Sequence, residues 1–146
     1  MNNGSIYTHI QNNIATIEFF HPASNSFPSE LLQRLTKTFE ELSINSEVKV
    51  IVLKSEKEDA FCAGASFDEL MSITNFEDGK QFFLGFANVI NAMRKCTKLI
   101  IGRVQGKVVG GGVGLAAACD YCLATEQASI KLSELTIGIG PFVIEP

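Results

Sequence analysis

Apolar residues recur along this chain in blocks that alternate between strand-like and helix-like spacing. Ile6 to Ile10 and Ile14 to Phe20 cluster β-branched and aromatic residues on either side of Gln11-Asn12-Asn13, which predicts an opening hairpin. From Pro28, Leu31, Leu32, Leu35, Phe39 and Leu42 fall at helical spacing and predict a helix of about four turns, capped by Ser26 or Ser29. Val48 to Leu53 is a β-branched run of the sort buried on both faces of a parallel sheet, and predicts a central strand.

A polar segment, Lys54 to Asp59, then precedes the compact run Phe61-Cys62-Ala63-Gly64-Ala65-Ser66, which leads into a helix starting near Phe67. A stripe of phenylalanines from Phe76 to Phe86, continued by Val89, Ile90 and Met93, predicts a longer helix ending near Cys96. Core is the favoured reading of that stripe over pocket lining. Lys98 to Val104 reads as the next strand. Gly106 breaks it, and Lys107-Val108-Val109 leads through Gly110-Gly111-Gly112 into an alanine-rich helix over Val113 to Cys119. Tyr121 to Ala124 and Ser129 to Leu132 look like short strands, and Ile137 to Phe142 has loop character. The order implies an α/β fold of repeated turns, with no internal boundary, so that residues 1–146 form a single domain.

Composition narrows the partners. The net charge of −4, with no basic cluster, argues against a nucleic-acid or anionic-membrane surface. No apolar stretch reaches the ~20 residues that a membrane-spanning helix needs. Cys62, Cys96, Cys119 and Cys122 follow no secreted spacing, and the first residues lack a signal-peptide pattern, so free thiols and a cytoplasmic location are expected. Cys119-Asp120-Tyr121-Cys122 has zinc-like spacing but no second ligand pair, so no metal is expected.

Two segments could carry chemistry. In Cys62-Ala63-Gly64-Ala65, between a strand and a helix, small residues let a ligand approach free backbone N–H groups; a tight packing turn is the alternative. Around Gly110, Gly111, Gly112 and Gly114, glycines strip side chains from the start of a helix, which suits a thioester oxygen or a phosphate, and equally suits close helix packing. A P-loop is excluded because no Gly-Lys-Ser/Thr follows, and the spacing of a dinucleotide fingerprint is not met.

Taken together, the chain resembles the crotonase (enoyl-CoA hydratase/isomerase) superfamily. The likeness runs from Ile14-Ala15-Thr16-Ile17-Glu18, His21-Pro22 and Asn25, through Val50 to Leu53 and Ala60 to Ala65, to the glycine triplet, Asp120 and Ser133-Glu134-Leu135 to Gly138. The resemblance implies a crotonase-like spiral of ββα turns, and a C-terminal helical region that the sequence lacks. It implies an acyl-CoA substrate, with coenzyme A arriving as part of the thioester and no separate cofactor. The N–H groups of Ala65 and Gly111 would then hold the enolate oxygen. Ser24, Asn25, Ser26, Cys62, Ala63, Gly64 and Gly110 would flank the substrate, and assembly as homotrimers or hexamers is expected.

One departure matters. Gly114 stands where hydratases of the family carry the first of two glutamates, while Glu134 matches the second, among Leu132, Leu135 and Ile137. A single carboxylate can lift a proton from one carbon and return it to another, so isomerisation is favoured over hydration. Ser66, where many members have Asp, and Gln105, where Asn is usual, are smaller departures. A non-catalytic acyl-CoA binder or scaffold, or a decarboxylase of malonyl-type thioesters, are the alternatives.

Overall fold

The computed structural model describes residues 4–56 and 59–144. β1 (Ser5–Gln11) and β2 (Ile14–Phe20) form the expected antiparallel hairpin. It closes at Asn12 and Asn13, whose φ of 52° and 64° suit the tight primed turn that matches strand twist. α1 (Ser29–Ile44), β3 (Val50–Ser55) and β4 (Ala60–Cys62) follow, then α2 (Phe67–Ser72) and α3 (Phe76–Lys95). β5 (Leu99–Val104), β6 (Lys107–Val109) and α4 (Gly111–Ala117) come next, before β7 (Tyr121–Ala124), β8 (Ser129–Lys131) and a short 3-10 helix, Glu134–Ile137.

The strands divide between two sheets, ordered β1-β2-β3-β5-β7 and β4-β6-β8. After the hairpin every pairing is parallel. β3, β5 and β7 extend the larger sheet in chain order, while β4, β6 and β8 build the smaller one. Each strand-strand-helix turn therefore advances one position on both sheets, which is the expected spiral. Only the first turn differs, because both of its strands belong to the larger sheet.

The core lies between the larger sheet and the helices. Ala15, Ile17 and Phe19 of β2 and Ile51 and Leu53 of β3 are completely buried against Leu31, Leu35 and Phe39 of α1 and Val89 of α3. Three expectations need correction. β3 is fully buried on one face only; on the other, Lys54 is half-exposed and pairs with Glu18 at 2.8 Å across the neighbouring strand. Neither Ser26 nor Ser29 caps α1: its first N–H, on Ser29, donates to the Glu69 carboxylate at 2.9 Å, and the Ser29 hydroxyl joins it at 2.6 Å. α4 starts at Gly111, inside the glycine run, two residues before the alanine-rich segment. β4, which sequence periodicity did not mark as a strand, pairs with β6.

Ser66 caps α2, accepting the Glu69 N–H at 3.3 Å, so the hydroxyl at this departure from the family pattern keeps a capping function. Gln105 is buried at the end of β5, where its Nε2 donates to Ser55 Oγ at 2.8 Å and reaches the Ala60 carbonyl at 3.3 Å. Among the described residues no helix is long and apolar enough to cross a membrane.

The loop after β2 is pinned by one side chain. Asn25 Oδ1 accepts the His21 N–H at 2.9 Å, and its Nδ2 donates to the carbonyls of Glu56 and Ala60, each at 2.9 Å. Its φ of 56° is one that asparagine tolerates and alanine resists. Asn25→Ala is expected to lower stability by about 2–4 kcal/mol, from the unsatisfied buried groups and the strained backbone. A urea midpoint shift at unchanged slope checks it. In the same loop, burial pushes His21 below its ordinary value, and its Nδ1 accepts the Ala23 N–H at 3.3 Å. The unfolded chain takes up the proton first, so this contribution is complete above about pH 6.5 and is lost as pH falls through the folded-state value. Thermal melts at descending pH are expected to fall less steeply for His21→Asn than for the wild type.

Candidate functional site

The smaller sheet positions the site. β4, β6 and β8 run parallel, so their C-terminal ends lie side by side, and the segments that leave them are Ala63 to Ala65, Gly110 to Gly112 and Leu132 to Glu134. Parallel sheets commonly bind ligands beyond these ends. The Gly110 N–H donates to the Lys131 carbonyl at 3.0 Å, which ties the glycine turn to the end of β8. The Phe27 N–H donates to the Gly64 carbonyl at 2.8 Å, and the Ser66 N–H returns to the Phe27 carbonyl at 2.9 Å, which fixes the first turn on the far side.

These turns meet closely. A Cβ placed on Gly64 would lie 3.4 Å from the Gly111 nitrogen and 3.1 Å from the Val109 carbonyl oxygen. At Gly111 a Cβ would sit 2.7 Å from the Phe86 ring, so glycine lets the ring lie flat on the backbone. At Gly110, with φ of 54°, it would come 3.1 Å from Glu134 Oε1. Among the described residues, neither the Ala65 nor the Gly111 N–H donates to an acceptor of the chain. α4 spans only seven residues. The local N–H groups at its start therefore carry more of the electrostatic argument than its dipole does.

A cavity of about 190 Å³ opens where the three segments converge, lined by Ala63, Gly64, Ala65, Gly110, Gly111 and Glu134. Phe82, Phe83 and Phe86 of α3 and Leu70 of α2 form its opposite wall. The phenylalanine stripe is thus mostly pocket: of these rings only Phe86 is buried in the core, where it stacks edge-on to Phe27 at 6.1 Å. Leu70 and this aromatic wall are functional candidates that periodicity alone assigned to packing or passed over.

Glu134 begins the short 3-10 helix, and the N–H of Ile139 returns to its carbonyl at 3.0 Å. Its Oε2 is buried and has no hydrogen-bond partner among the described residues. The apolar residues expected around it are all exposed, Leu132, Leu135 and Ile137 alike, although Ile137 also borders the cavity. Beside Gly114 the space is filled. A Cβ there would lie 2.7 Å from Ile144 Cγ2 and 2.8 Å from Ile90 Cδ1, so a carboxylate-bearing side chain has no room without moving both.

The structure does not bring Ser24, Asn25, Ser26 or Cys62 to the cavity wall. Ser24 is exposed on the loop and the Asn25 amide is committed to backbone groups. Cys62 lies behind the wall, where its Sγ accepts the Gly64 N–H at 3.4 Å and a Gly112 Cβ would meet its carbonyl oxygen at 2.6 Å. Burial pushes the Cys62 thiol up to about 12, so it stays protonated at neutral pH. Asp120 is structural: its carboxylate accepts the Ile100 N–H at 2.7 Å. The four cysteines are free, and among the described residues no cluster of His, Cys, Asp or Glu is suited to a metal ion.

Alkylation of the folded protein with iodoacetamide at pH 8 is expected to label the exposed Cys122 and to leave Cys62 unmodified until denaturant is added. Peptide mass mapping reads the difference.

Comparison with known proteins matches residues 9–145 to the enoyl-CoA hydratase/isomerase family. The peroxisomal bifunctional enzyme of Homo sapiens is 30% identical over 135 residues, which are 92% of this chain and 18% of that one. The mitochondrial methylglutaconyl-CoA hydratase of Homo sapiens is 32% identical over 117 residues, 80% of this chain and 34% of that one. A crystal structure of a Legionella pneumophila protein of the enoyl-CoA hydratase/isomerase (crotonase) kind aligns with a TM-score of 0.90 at 29% identity, covering 98% of this chain and 56% of that one. The chain therefore spans less than two thirds of each of these relatives.

Proposed function

The chain belongs to the enoyl-CoA hydratase/isomerase family and has the crotonase fold, and on that premise we propose that it shifts the double bond of an enoyl-CoA thioester. The observation that carries this reading is Glu134 Oε2, a buried carboxylate oxygen without a partner among the described residues, in a cavity that also holds two backbone donors unengaged by those residues. Leaving such an oxygen unpaired costs about 1–3 kcal/mol, and folding alone supplies no reason for it.

In the proposed reaction the thioester carbonyl oxygen sits between the N–H groups of Ala65 and Gly111. The Glu134 carboxylate takes a proton from the carbon next to the carbonyl of a β,γ-enoyl thioester. The electron pair of that C–H bond moves onto the carbonyl oxygen, giving a dienolate that the two donors stabilise by several kcal/mol. The same carboxyl then returns the proton to the γ-carbon, and the double bond is left in the α,β position. One acid/base group suffices because it is regenerated within the cycle.

Hydration is less well supported. A held water needs about two to four polar partners. Beside Gly114, which does not line the cavity, stand Ile144 and Ile90 instead, of which Ile144 forms part of the cavity wall. Coenzyme A is read as part of the substrate, the relatives' names supplying that chemistry, and homotrimeric assembly remains part of the same proposal.

Assays with α,β-enoyl, β,γ-enoyl and malonyl-type CoA esters, run alongside Glu134→Gln, test the reading. The expected result is β,γ to α,β conversion by the wild type. The substitution is expected to lower kcat about 10²- to 10⁴-fold, the usual contribution of a general acid/base, while ester binding changes little. Malonyl-type turnover that survives Glu134→Gln would favour decarboxylation, and binding without turnover in every assay would favour a scaffold.

A further inference from the structure

Neither Cys119 nor Cys122 lines the cavity, yet the fold brings their sulfurs to one point. A Cβ placed on Gly102 of β5 would lie 2.9 Å from Cys122 Sγ and 3.0 Å from Cys119 Sγ, so the two thiols share the hollow that this glycine leaves. Both donate to adjacent carbonyls in the last turn of α4, Cys119 to Leu115 at 3.3 Å and Cys122 to Ala116 at 3.1 Å. The two thiols also hydrogen-bond to each other. A thiol is a weak donor, so these bonds gather the pair without making it inert.

Access to the two sulfurs differs. Cys122 is exposed on β7, the outermost strand of the larger sheet, whereas Cys119 is half-buried. Burial, with Cys122 close by, holds the Cys119 thiol well above its ordinary range. Cys122 is therefore the sulfur that a reagent in solution meets first.

We propose that this pair is a thiol-modification site for small disulfides of the glutathione type, with Cys122 attacking and Cys119 resolving. In the first step Cys122 gives its proton to solvent and its sulfur attacks one sulfur of the small disulfide; that S–S bond breaks, and one small thiol leaves after taking up a proton. In the second step Cys119 gives up its proton and attacks Cys122 Sγ; the mixed disulfide breaks, and the second small thiol leaves with a proton. Two protein thiols are oxidised to one disulfide, and one small disulfide is reduced to two thiols. Because Cys119 is held protonated, the second step is the slower and the mixed disulfide builds up before it decays.

The test is incubation of the folded wild type, Cys119→Ser and Cys122→Ser with excess oxidised glutathione at pH 8, followed by acid quenching and tryptic mass mapping. Residues 108–131 form one tryptic peptide that holds both cysteines. Circular dichroism confirms that the variants are folded. The wild-type peptide is expected to gain glutathione on Cys122 and then to lose it, ending two hydrogens lighter than the reduced form. Cys119→Ser is expected to stop at the mixed disulfide, and Cys122→Ser to be modified on this peptide at least about tenfold more slowly. A wild-type mixed disulfide that persists as long as that of Cys119→Ser, first attachment at Cys119, or no modification of Cys122 would each overturn the proposal.

Discussion

The structure depends on how closely three strand ends can approach one another. Parallel β4, β6 and β8 deliver their following segments to one edge, but backbones meet there only if the side chains between them are small. Gly111 lies under the Phe86 ring and Gly112 against the Cys62 carbonyl; an alanine at either would need the neighbour to shift. Tight packing of this kind transmits small changes, since interiors have little free volume to absorb them. The glycines thus serve close packing, and the same absence of side chains is what the proposed approach of a ligand to the Gly111 N–H requires.

The same crowding sets the polar balance of the site. Among the described residues Glu134 is the one carboxylate on a wall otherwise made of backbone, Ser66, Ser133 and apolar side chains, and Ile144 with Ile90 occupies the space facing Gly114. At position 114 the space a side chain would take is filled by apolar groups. With Glu134 as the proposed base, such a wall suits a reaction in which the proton leaves one carbon for another of the same molecule, because no external water has to be held in place.

Much of the architecture was legible because local pattern and tertiary demand agree. The hairpin, α1 and α3 follow from periodicity, the order of elements implied an α/β fold of repeated turns, and the family resemblance implied the spiral. What was missed required knowledge of distant neighbours. The acceptor for the start of α1 is Glu69, separated from Ser29 by 40 positions, and no local capping pattern could have named it. β4 is three residues long and shows no alternation, so only its pairing with β6 defines it. Asn25 was legible as a special position but not in its role, because its amide is spent on Glu56 and Ala60 rather than on the cavity.

The phenylalanine stripe shows where sequence periodicity reaches its limit. A helical stripe records which residues share a face, and α3 does turn Phe82, Phe83 and Phe86 the same way. It cannot record what that face meets. Phe86 meets Phe27 and the backbone of Gly111, and becomes core; Phe83, one turn earlier on the helix, lines the open cavity. Phe83 borders the segment around Phe142 and stays partly exposed, whereas Phe86 is closed over by Phe27. Periodicity therefore places these rings on one face, and only the elements opposite them decide which become core and which line the cavity.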